Sequence, residues 1–544
     1  MISATRLAPA GRTDRERRSP MRNPRSASRA SSWAGSSNDR LVSRALRVLS
    51  RGRGRALAYR SAAPHWPPSP SDAAGHTARA QPAPPCHPQR PGELVMSERL
   101  TNDATVDAAL DALRASATTG EIFLREAQSG SVEIKEGAVE AVIARGERGI
   151  GVRVLDDQRL GFAYTSDLSL NGIRECADTA RRMSALTERD EDLALATKAI
   201  DDADLDIYQS GIVDRALSER AAIALSVEEA ARETDPRVKQ FRKTTYSDSE
   251  STTIIATTTG VRASFRESYC GVMTSAVATE NGDRQIGYHG EAARRFAELE
   301  PARVGRRAAQ RAVEKLGAKP LATQKVPVVL DPWMAMDLLR AIGPLFSADN
   351  VLKGRSLFAD KIGQRVANEK VTIVDDARRP RGLRSAPFDG EGVATATRTL
   401  IENGVLRGYL TSLKTARKLG TESTGNARRG GYGSPARIGP SNLFVAAGSD
   451  DATATVGDFD RALAVTSLLN LHTIDPVSGE FSLGATGNYL ERGNRIHPAQ
   501  GITIAGNLTH LLNSVVAVGN DLVFGPSGLG SPTLVISELS IGGA

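Results

Sequence analysis

The sequence predicts an α+β fold in which an N-terminal α/β domain precedes a glycine-rich, mainly β C-terminal domain. Three observations indicate this fold class. Apolar residues at helical spacing alternate with strand-like patterns as far as about residue 316. Beyond residue 326, glycines separate short apolar runs, which is typical of glycine-rich β-domains. A content of 40% hydrophobic and 24% charged residues over 544 residues indicates a soluble globular protein of two or three domains.

The positive charge is concentrated at one end of the chain. Residues 1–95 hold 17 Arg, no Lys and five acidic residues, a net charge of +12, whereas the whole chain carries +7. Residues 96–544 are therefore mildly acidic, at −5. This balance argues against nucleic acid as a partner of the folded part. No stretch approaches the roughly 18 apolar residues of a membrane span, so we expect no membrane association.

Residues 1–95 are expected to form a disordered leader, because this Arg-, Ser- and Pro-rich stretch lacks sustained apolar periodicity. Met96 opens the first segment with a folded pattern, which favours translation from Met96. A tail that is made but disordered, a transit peptide and a basic nucleic-acid-binding arm are the alternatives. The remainder is predicted to divide into an N-terminal α+β domain at 96–320 and a β-rich C-terminal domain at 321–544.

The three cysteines favour a reducing, cytoplasmic location. Cys86, Cys176 and Cys270 lie far apart and form no C-x-x-C pair. This spacing excludes a disulfide scaffold and a cysteine-rich zinc module.

The N-terminal domain is predicted to begin with a helix. Val106, Leu110 and Leu113 recur at helical spacing, and Gly120 is expected to end the helix. Alternating residues at 121–125, and again at 132–135, predict strands after it.

A hairpin and a second helix are predicted next. The turn at 156–157 separates the strand-like runs 149–155 and 159–164. Ser169 is expected to cap the helix. The residues predicted on its buried face are Ile173, Ala177, Ala180 and Met183.

Further along, residues 187–206 predict an exposed, charged connection and residues 218–234 a helix that ends before Asp235-Pro236. Thr, Ser, Ile and aromatic residues in near alternation at 239–273 predict strands. A basic helix is predicted at 301–315, and the domain boundary is expected near 318–325.

Several strings in the C-terminal half occur in a specific order. They are residues 352–361 (LKGRSLFADK), 401–406 (IENGVL), 423–429 (STGNARR), 440–443 (PSNL), 474–484 (IDPVSGEFSLG) and 501–508 (GITIAGNL). In this order they resemble the TldD/PmbA family, peptidase-like proteins that are also called modulators of DNA gyrase. The resemblance covers nearly all of residues 106–543.

One branch of this family carries a zinc-peptidase motif, His-Glu-x-x-x-His, and a late ligand cysteine. In this sequence Arg340 and Leu345 stand at the two histidine positions and Ala341 at the glutamate position. Arg and Leu cannot bind zinc, and Ala cannot act as a general base. Residues 525–531 fill the region of the late cysteine and contain none. We therefore expect no catalytic and no metal-binding residue in this chain.

The pattern resembles the PmbA/TldE branch, which lacks the zinc motif. The resemblance implies a non-catalytic subunit that pairs with a zinc-bearing TldD-like paralogue in a heteromeric peptidase acting on unfolded peptides. Zinc is then expected in the partner subunit. The alternative is a stand-alone peptide- or protein-binding member that no longer joins a protease. Whether the chain counts as an enzyme stays open at this stage.

The glycine-rich segment that begins at residue 423 is the candidate for contact with substrate. Such a loop presents backbone N–H groups and guanidinium groups to an anion or a peptide carboxylate. The resemblance implies that its residues line a peptide-binding cleft, and a mobile surface loop is the alternative. The candidate residues are Ser423, Thr424, Gly425, Asn426, Arg428 and Arg429.

Other sequence features predict structural roles for their residues and not catalytic or metal-binding roles. Asp475 and Glu480 flank Pro476 and a Ser-Gly pair, which predicts a turn between strands and not a carboxylate pair for catalysis. His472 and His510 lie in apolar stretches and are expected to be core or edge residues.

Overall fold

A six-stranded antiparallel sheet forms the first part of the described chain. A computed structural model describes residues 100–116, 118–198, 200 and 204–543, all within one compact unit. The leader at 1–95 and the expected start at Met96 lie outside the described residues. The strand order is β3-β2-β1-β4-β5-β6. The strands are β1 (Thr119–Lys135), β2 (Ala138–Asp156), β3 (Arg159–Thr165), β4 (Val238–Thr257), β5 (Arg262–Glu280) and β6 (Asp283–Ala293).

In the part of the chain that the structure describes, four α-helices pack on this sheet. Helices α1 and α2 cover β1, β2 and β3, while α3 and α4 cover β4, β5 and β6. Their bounds are α1 (Asn102–Ala115), α2 (Leu170–Ser184), α3 (Leu217–Thr234) and α4 (Pro301–Val313). Side-chain caps fix two of their starts: Thr101 accepts a hydrogen bond from the backbone of Ala104, and Ser169 accepts one from Gly172.

The predicted first helix is confirmed, but its predicted end is wrong. Val106, Leu110 and Leu113 are buried against the sheet, as expected. The helix ends at Ala115, and Gly120 lies inside β1. A Cβ atom at Gly120 would lie 2.8 Å from the Leu113 side chain and 2.9 Å from the Arg153 carbonyl oxygen. The glycine therefore permits close packing of helix on strand and does not cap the helix.

Most of the following predictions hold. The hairpin of β2 and β3 pairs Asp156 with Arg159, and the helices predicted from 218 and 301 correspond to α3 and α4. On α2, Met183 is 43% exposed, so its predicted burial is wrong. The connection at 187–206 is less exposed than predicted, because Leu193, Leu195 and Leu205 are buried.

The second part of the chain is built mainly of strands. One sheet has the order β16-β15-β14-β7-β20-β17, and an additional pairing of β16 with β20 closes five of these strands into a ring. A second sheet has the order β10-β9-β8-β13-β19-β18, and among the described strands β11 pairs only with β12. The bounds are β7 (Gln324–Leu330), β8 (Ile373–Asp376), β9 (Thr397–Glu402), β10 (Val405–Leu406), β11 (Ala427–Arg428), β12 (Arg437–Ile438), β13 (Leu443–Val445), β14 (Arg461–Leu469), β15 (Glu480–Glu491), β16 (Asn494–Asn507), β17 (Val515–Val518), β18 (Val523–Phe524), β19 (Gly530–Ser531) and β20 (Leu534–Gly542).

Short helices complete this part, and three of them, at 332–342, 348–352 and 508–513, share one large apolar core with the two sheets. The longest, α5, begins after Asp331, whose carboxylate accepts a hydrogen bond from the backbone of Met334. The bounds are α5 (Pro332–Ile342), α6 (Ala348–Leu352), α7 (Leu413–Lys418), α8 (Ala452–Gly457) and α9 (Leu508–Asn513). Among the described residues, no helix has both the length and the apolar character to cross a membrane.

The predicted mixture of helices and strands is confirmed, with strands predominating. The turn predicted at Asp475 is also confirmed, because its Oδ1 accepts hydrogen bonds from the backbones of Val477 and Ser478, both at 2.8 Å. His472 and His510, predicted to be core or edge residues, are exposed, so the core alternative is wrong. Cys176 and Cys270 are buried free thiols.

Candidate functional site

Residues 423–429 form a partly buried connection from α7 into β11. Thr424 is 8% exposed and Asn426 is 2% exposed, whereas Ser423 is half-buried. Gly425 has a φ of 71°, in the left-handed region that glycine adopts without strain. Much of this segment is therefore held in the interior of the protein.

Thr424 and Asn426 are engaged in internal hydrogen bonds. The backbone of Thr424 donates to Thr411 Oγ1 at 2.9 Å, and the backbone of Thr411 donates to Thr424 Oγ1 at 2.7 Å. Asn426 Nδ2 donates to Asp375 Oδ2 at 2.7 Å, and Ser441 donates to the same carboxylate. Burial raises the pKa of Asp375. These two candidate residues therefore position the segment.

Arg429 anchors the segment to the first sheet. Its side chain is only 1% exposed. Nε donates to the Gly390 carbonyl at 2.7 Å and Nη2 donates to Glu121, while Cζ lies 4.7 Å from the centroid of the Phe123 ring. Both Glu121 and Phe123 belong to β1. Arg429 and Glu121 lie 308 positions apart in the sequence, so this contact ties the segment to a distant strand.

A buried ionic network surrounds this anchor. Arg153 Nη2 lies 2.8 Å from Glu121 Oε2, and Arg153 Nη1 lies 2.8 Å from Glu391 Oε1. Burial alone would lower the pKa of Arg153, but the two carboxylates raise it above its ordinary value. Glu391 Oε2 also accepts a hydrogen bond from the backbone of Leu413 at 2.8 Å. The guanidinium therefore bridges the first sheet and the second part of the chain.

Asp389 lies beside this network and is held by backbone N–H groups. Its Oδ1 accepts hydrogen bonds from Glu391 and Val393, and its Oδ2 accepts one from Ala427. Burial raises the pKa of Asp389 to about 7, and the nearby charge of Glu391 adds to the shift. The carboxyl group therefore titrates near neutral pH in the folded protein.

Arg428, next in the segment, meets a second arginine. Its Nη2 donates to the carbonyl oxygen of Arg384 at 2.6 Å. Burial lowers the pKa of Arg428 to about 10, and repulsion by the Arg384 charge contributes. Within the described part of the chain, neither guanidinium forms an ion pair, and that of Arg384 forms no hydrogen bond.

Arg384, Asp389 and Arg428 lie at a cavity of about 280 Å³, which we call the arginine cavity. Gly425, Arg428 and Arg429 of the predicted segment line it, whereas Ser423, Thr424 and Asn426 do not. The other lining residues that matter here are Phe123, Arg125, Phe265, Glu267, Arg384, Phe388 and Asp389. Half of the candidate residues thus meet at one cavity.

A larger cavity of about 1000 Å³ lies between β6, α4 and the start of α5. His289 is buried at its wall, with its ring 4.6 Å from that of Trp333 and its Nε2 3.3 Å from Glu291 Oε1. Burial lowers the pKa of His289. Burial alone would raise the pKa of Glu291, but hydrogen bonds from His289 and Arg303 hold it at about 2. A neutral imidazole therefore faces an ionised carboxylate.

The three motif positions do not converge on a metal site. Arg340 lies in the last turn of α5 with its side chain 60% exposed and its Nη2 3.6 Å from Asp337. Leu345 lies in a separate short 3₁₀ helix, Gly343–Phe346, and is 2% exposed in the apolar core. Ala341 offers no ligand atom. These side chains do not fit zinc.

No alternative ligand set appears elsewhere in the described ranges. Between residues 204 and 543, and in the described parts before them, no three His, Cys, Asp or Glu side chains are grouped so that they could hold a metal ion. A Cβ atom added at Gly525 would contact the thioether of Met336. The segment 525–531 therefore packs on α5 through apolar contacts.

Sequence reasoning missed the residues of the buried ionic network and several residues of the arginine cavity. Glu121, Arg153, Arg384, Asp389 and Glu391 received no role. One signal was available, because Arg153 stands among apolar residues of a strand in which both faces become buried. No feature of the local sequence indicated that Arg153 pairs with Glu391.

Models of three consecutive domains match most of the chain. The PmbA/TldA metallopeptidase domain 1 matches residues 120–184, the central domain 212–316 and the C-terminal domain 323–543. Metalloprotease PmbA of Escherichia coli O157:H7 is 27% identical over 453 residues, which span 82% of this chain and 98% of that protein.

Solved structures show the same fold. A Thermotoga maritima MSB8 protein assigned as a modulator of a DNA gyrase superposes with a TM-score of 0.75 at 29% identity, covering 81% of this chain and all (100%) of the other. TldE from Thermococcus kodakarensis superposes with a TM-score of 0.74 at 22% identity, covering 80% and 100%. With domain models that together span more than half of its residues, this chain belongs to the PmbA/TldD metallopeptidase family.

Proposed function

We propose that this chain is the non-catalytic, PmbA/TldE-like subunit of a heteromeric zinc peptidase that acts on unfolded peptides. The observation that carries this proposal is the set Arg340, Ala341 and Leu345 at the motif positions. One of these side chains is exposed, one is a methyl group and one is in the core. Such residues supply neither a zinc ligand nor a general base.

The zinc and the catalytic base are then expected in a TldD-like paralogue. The contribution of this chain is to complete the cleft that holds an extended peptide, with Ser423, Gly425, Arg428 and Arg429 as the contact candidates. Thr424 and Asn426 support them from the interior. The unpaired thiols of Cys176 and Cys270 support a cytoplasmic location for the complex.

The proposed domain organisation keeps an N-terminal α+β domain at 96–320 and a C-terminal domain at 321–544. The first sheet and its helices end at Val313, and β7 of the next sheet begins at Gln324. The boundary between the central and C-terminal family models, at 316 and 323, supports the same division.

A peptide digest tests the function. An unfolded peptide is incubated with this chain, with its zinc-bearing paralogue and with both, each with and without chelator. We expect cleavage only by the mixture without chelator. Cleavage by this chain alone, or full activity of the paralogue without it, would contradict the proposal.

A matched pair of variants locates the contribution of this chain. Arg428→Ala should lower the rate of the mixture, whereas Arg145→Ala removes the same charge from an exposed position of β2 and should not. Equal rates for the two mixtures would show that Arg428 does not contact substrate. If the mixture has no activity and the chain still binds peptide, the stand-alone binding function is favoured.

A further inference from the structure

The arginine cavity has an excess of positive charge. Arg125, Arg384, Arg428 and Arg429 line it together with only two carboxyl groups. Two of these arginines are compensated: Arg429 is bound by Glu121, and Arg125 lies 3.6 Å from a Glu267 oxygen. The net charge of the cavity therefore depends on whether Glu267 or Asp389 neutralises the two remaining arginines, Arg384 and Arg428.

Neither carboxyl group forms an ion pair with those two arginines in the described part of the chain. Glu267 is shared between Arg125 and Arg294, whose Nη1 lies 3.1 Å from its other oxygen. Both oxygens of Asp389 accept hydrogen bonds from backbone N–H groups. Because the pKa of Asp389 is raised to about 7, this carboxyl group also carries less than a full negative charge at neutral pH.

Arg384 and Arg428 thus form no ion pair in the described part of the protein, and the carboxylates of Asp375 and Glu267 act on them only from a longer distance. Arg384 is exposed at the cavity, and its guanidinium makes no hydrogen bond there. Arg428 bonds only to the Arg384 carbonyl, and its buried Nε has no partner. Two like charges held together at a cavity wall are unfavourable alone, and an anion that accepts hydrogen bonds from both would relieve the repulsion.

The remaining wall of the arginine cavity is aromatic. Phe265 and Phe388 lie edge to face with ring centroids 5.0 Å apart, and Phe123 lies under the Arg429 guanidinium. This wall favours an apolar group beside the anionic one. Inorganic anions offer no such group.

We propose that the arginine cavity binds the carboxyl-terminal end of a peptide, with the terminal carboxylate on Arg384 and Arg428 and the last apolar side chain against Phe265 and Phe388. The volume of about 280 Å³ is at the small end of ligand pockets, which begin near 300 Å³. It suits a chain end and not a long segment. The inference rests on the proposed peptide-binding function and adds the feature of the peptide that is recognised.

The test is direct binding to the isolated full chain by fluorescence anisotropy, without the paralogue. Three labelled six-residue peptides are compared: one ending in Leu as the free acid, the same peptide as its amide, and the amide with Glu in place of the residue before Leu. We expect the free acid to bind at least about tenfold more tightly than either amide, since a terminal carboxylate accepts charge-assisted hydrogen bonds from the two guanidinium groups and a terminal amide carries no charge.

Variants assign the effect to the cavity. Arg384→Gln should remove most of the preference for the free acid, and Arg428→Gln should do the same. Arg145→Gln, an equal charge change at an exposed position outside the cavity, should leave the preference intact. Thermal unfolding of each variant checks that it is folded. Because Arg384 makes no side-chain bond to lose, Arg384→Gln should unfold at the wild-type temperature.

Several outcomes would overturn the inference. Equal binding of acid and amide would exclude recognition of a chain end, and tight binding of the Glu-containing amide would assign the site to acidic side chains. An unchanged preference in both folded Arg variants would place the site elsewhere. If all peptides bind equally and the mixed-subunit digest still works, only this inference fails. If no peptide binds, this inference also fails, and the digest decides the proposed function separately.

Discussion

Arg153 and Glu391 lie 238 positions apart in the sequence and form an ion pair of 2.8 Å between Nη1 and Oε1. Arg153 belongs to β2 of the first sheet, and Glu391 lies in the loop between β8 and β9. The other edge of the guanidinium meets Glu121 of β1 at the same distance. All three residues are buried, so the joint between the two parts of the chain is ionic as well as apolar.

Replacing Arg153 by Met should destabilise the protein strongly. The change keeps most of the side-chain volume but leaves Glu391 as a buried carboxylate without its cation and leaves Glu121 with Arg429 as its remaining cation. Breaking a buried ion pair in this way costs about 3–5 kcal/mol. Urea unfolding measures the loss. The control is Arg262→Met, which removes partly exposed ion pairs to Asp103 and Asp107 and should cost no more than about 1 kcal/mol. Similar losses for both variants would contradict this prediction.

Asp389→Asn should change how stability depends on pH. The folded-state pKa of Asp389, about 7, lies above its ordinary value of 3.8, so the folded protein binds the proton more tightly than the unfolded chain. This contribution to stability is present below the ordinary pKa and is lost as pH rises through about 7. The free energy of unfolding of the Asn variant should therefore rise relative to wild type between pH 4 and pH 7, by at most about 1.4 kcal/mol per pH unit.

Urea unfolding of both proteins at several pH values measures that difference. Carboxyl groups distant from Asp389 titrate equally in the two proteins, so their contributions cancel. Asn cannot accept the Ala427 hydrogen bond with its amide nitrogen, which lowers the stability of the variant by a constant amount. A difference that stays constant from pH 4 to pH 7 would show that Asp389 is ionised throughout.

The isolated chain should retain no stoichiometric zinc. Arg340, Ala341 and Leu345 offer no ligand at the motif positions, and Leu345 lies in the core. Metal analysis after dialysis against a weak chelator decides the point. The zinc-bearing paralogue, treated identically, serves as the positive control. One zinc per chain of this protein would require another ligand set.

Gly161→Ala and Gly146→Ala should have opposite effects on stability. A Cβ atom at Gly161 would overlap the carbonyl oxygen of Ala180 in α2, because strand and helix approach closely there. Such overpacking costs about 1–3 kcal/mol. A Cβ atom at Gly146 meets nothing within 4 Å, and Ala in a strand should stabilise by about 0.5–1 kcal/mol. Thermal unfolding of the two variants tests this. A stable Gly161→Ala protein would show that α2 can move away from the sheet.

Local pattern was sufficient for much of the first part of the chain. The α1 face of Val106, Leu110 and Leu113, the Ser169 cap and the turn after Asp156 all follow from spacing and short-range hydrogen bonding. Gly120 was misassigned, since a glycine that ends a helix and one that lets a helix approach a strand have the same local sequence.

The candidate site was predictable only in part. The string at 423–429 indicated the right segment, and Gly425, Arg428 and Arg429 do line a cavity. Thr424 and Asn426 instead bond inward to Thr411 and Asp375. Which side of the segment each residue faces depends on the strands packed around it, and those strands are distant in the sequence.

The sequence by itself determined the alternation of helices and strands and the family resemblance, and it predicts that Arg340, Ala341 and Leu345 stand at the zinc-motif positions. Each of these depends on residue identity and short spacing. Only the tertiary structure decided that Arg384 and Arg428 share one cavity wall and form no ion pair with any described residue, and that Arg153 joins Glu121 to Glu391. The physical reason is that charge compensation and burial depend on distances in space, which packing sets between residues more than 200 positions apart, as the separation of 238 for Arg153 and Glu391 illustrates.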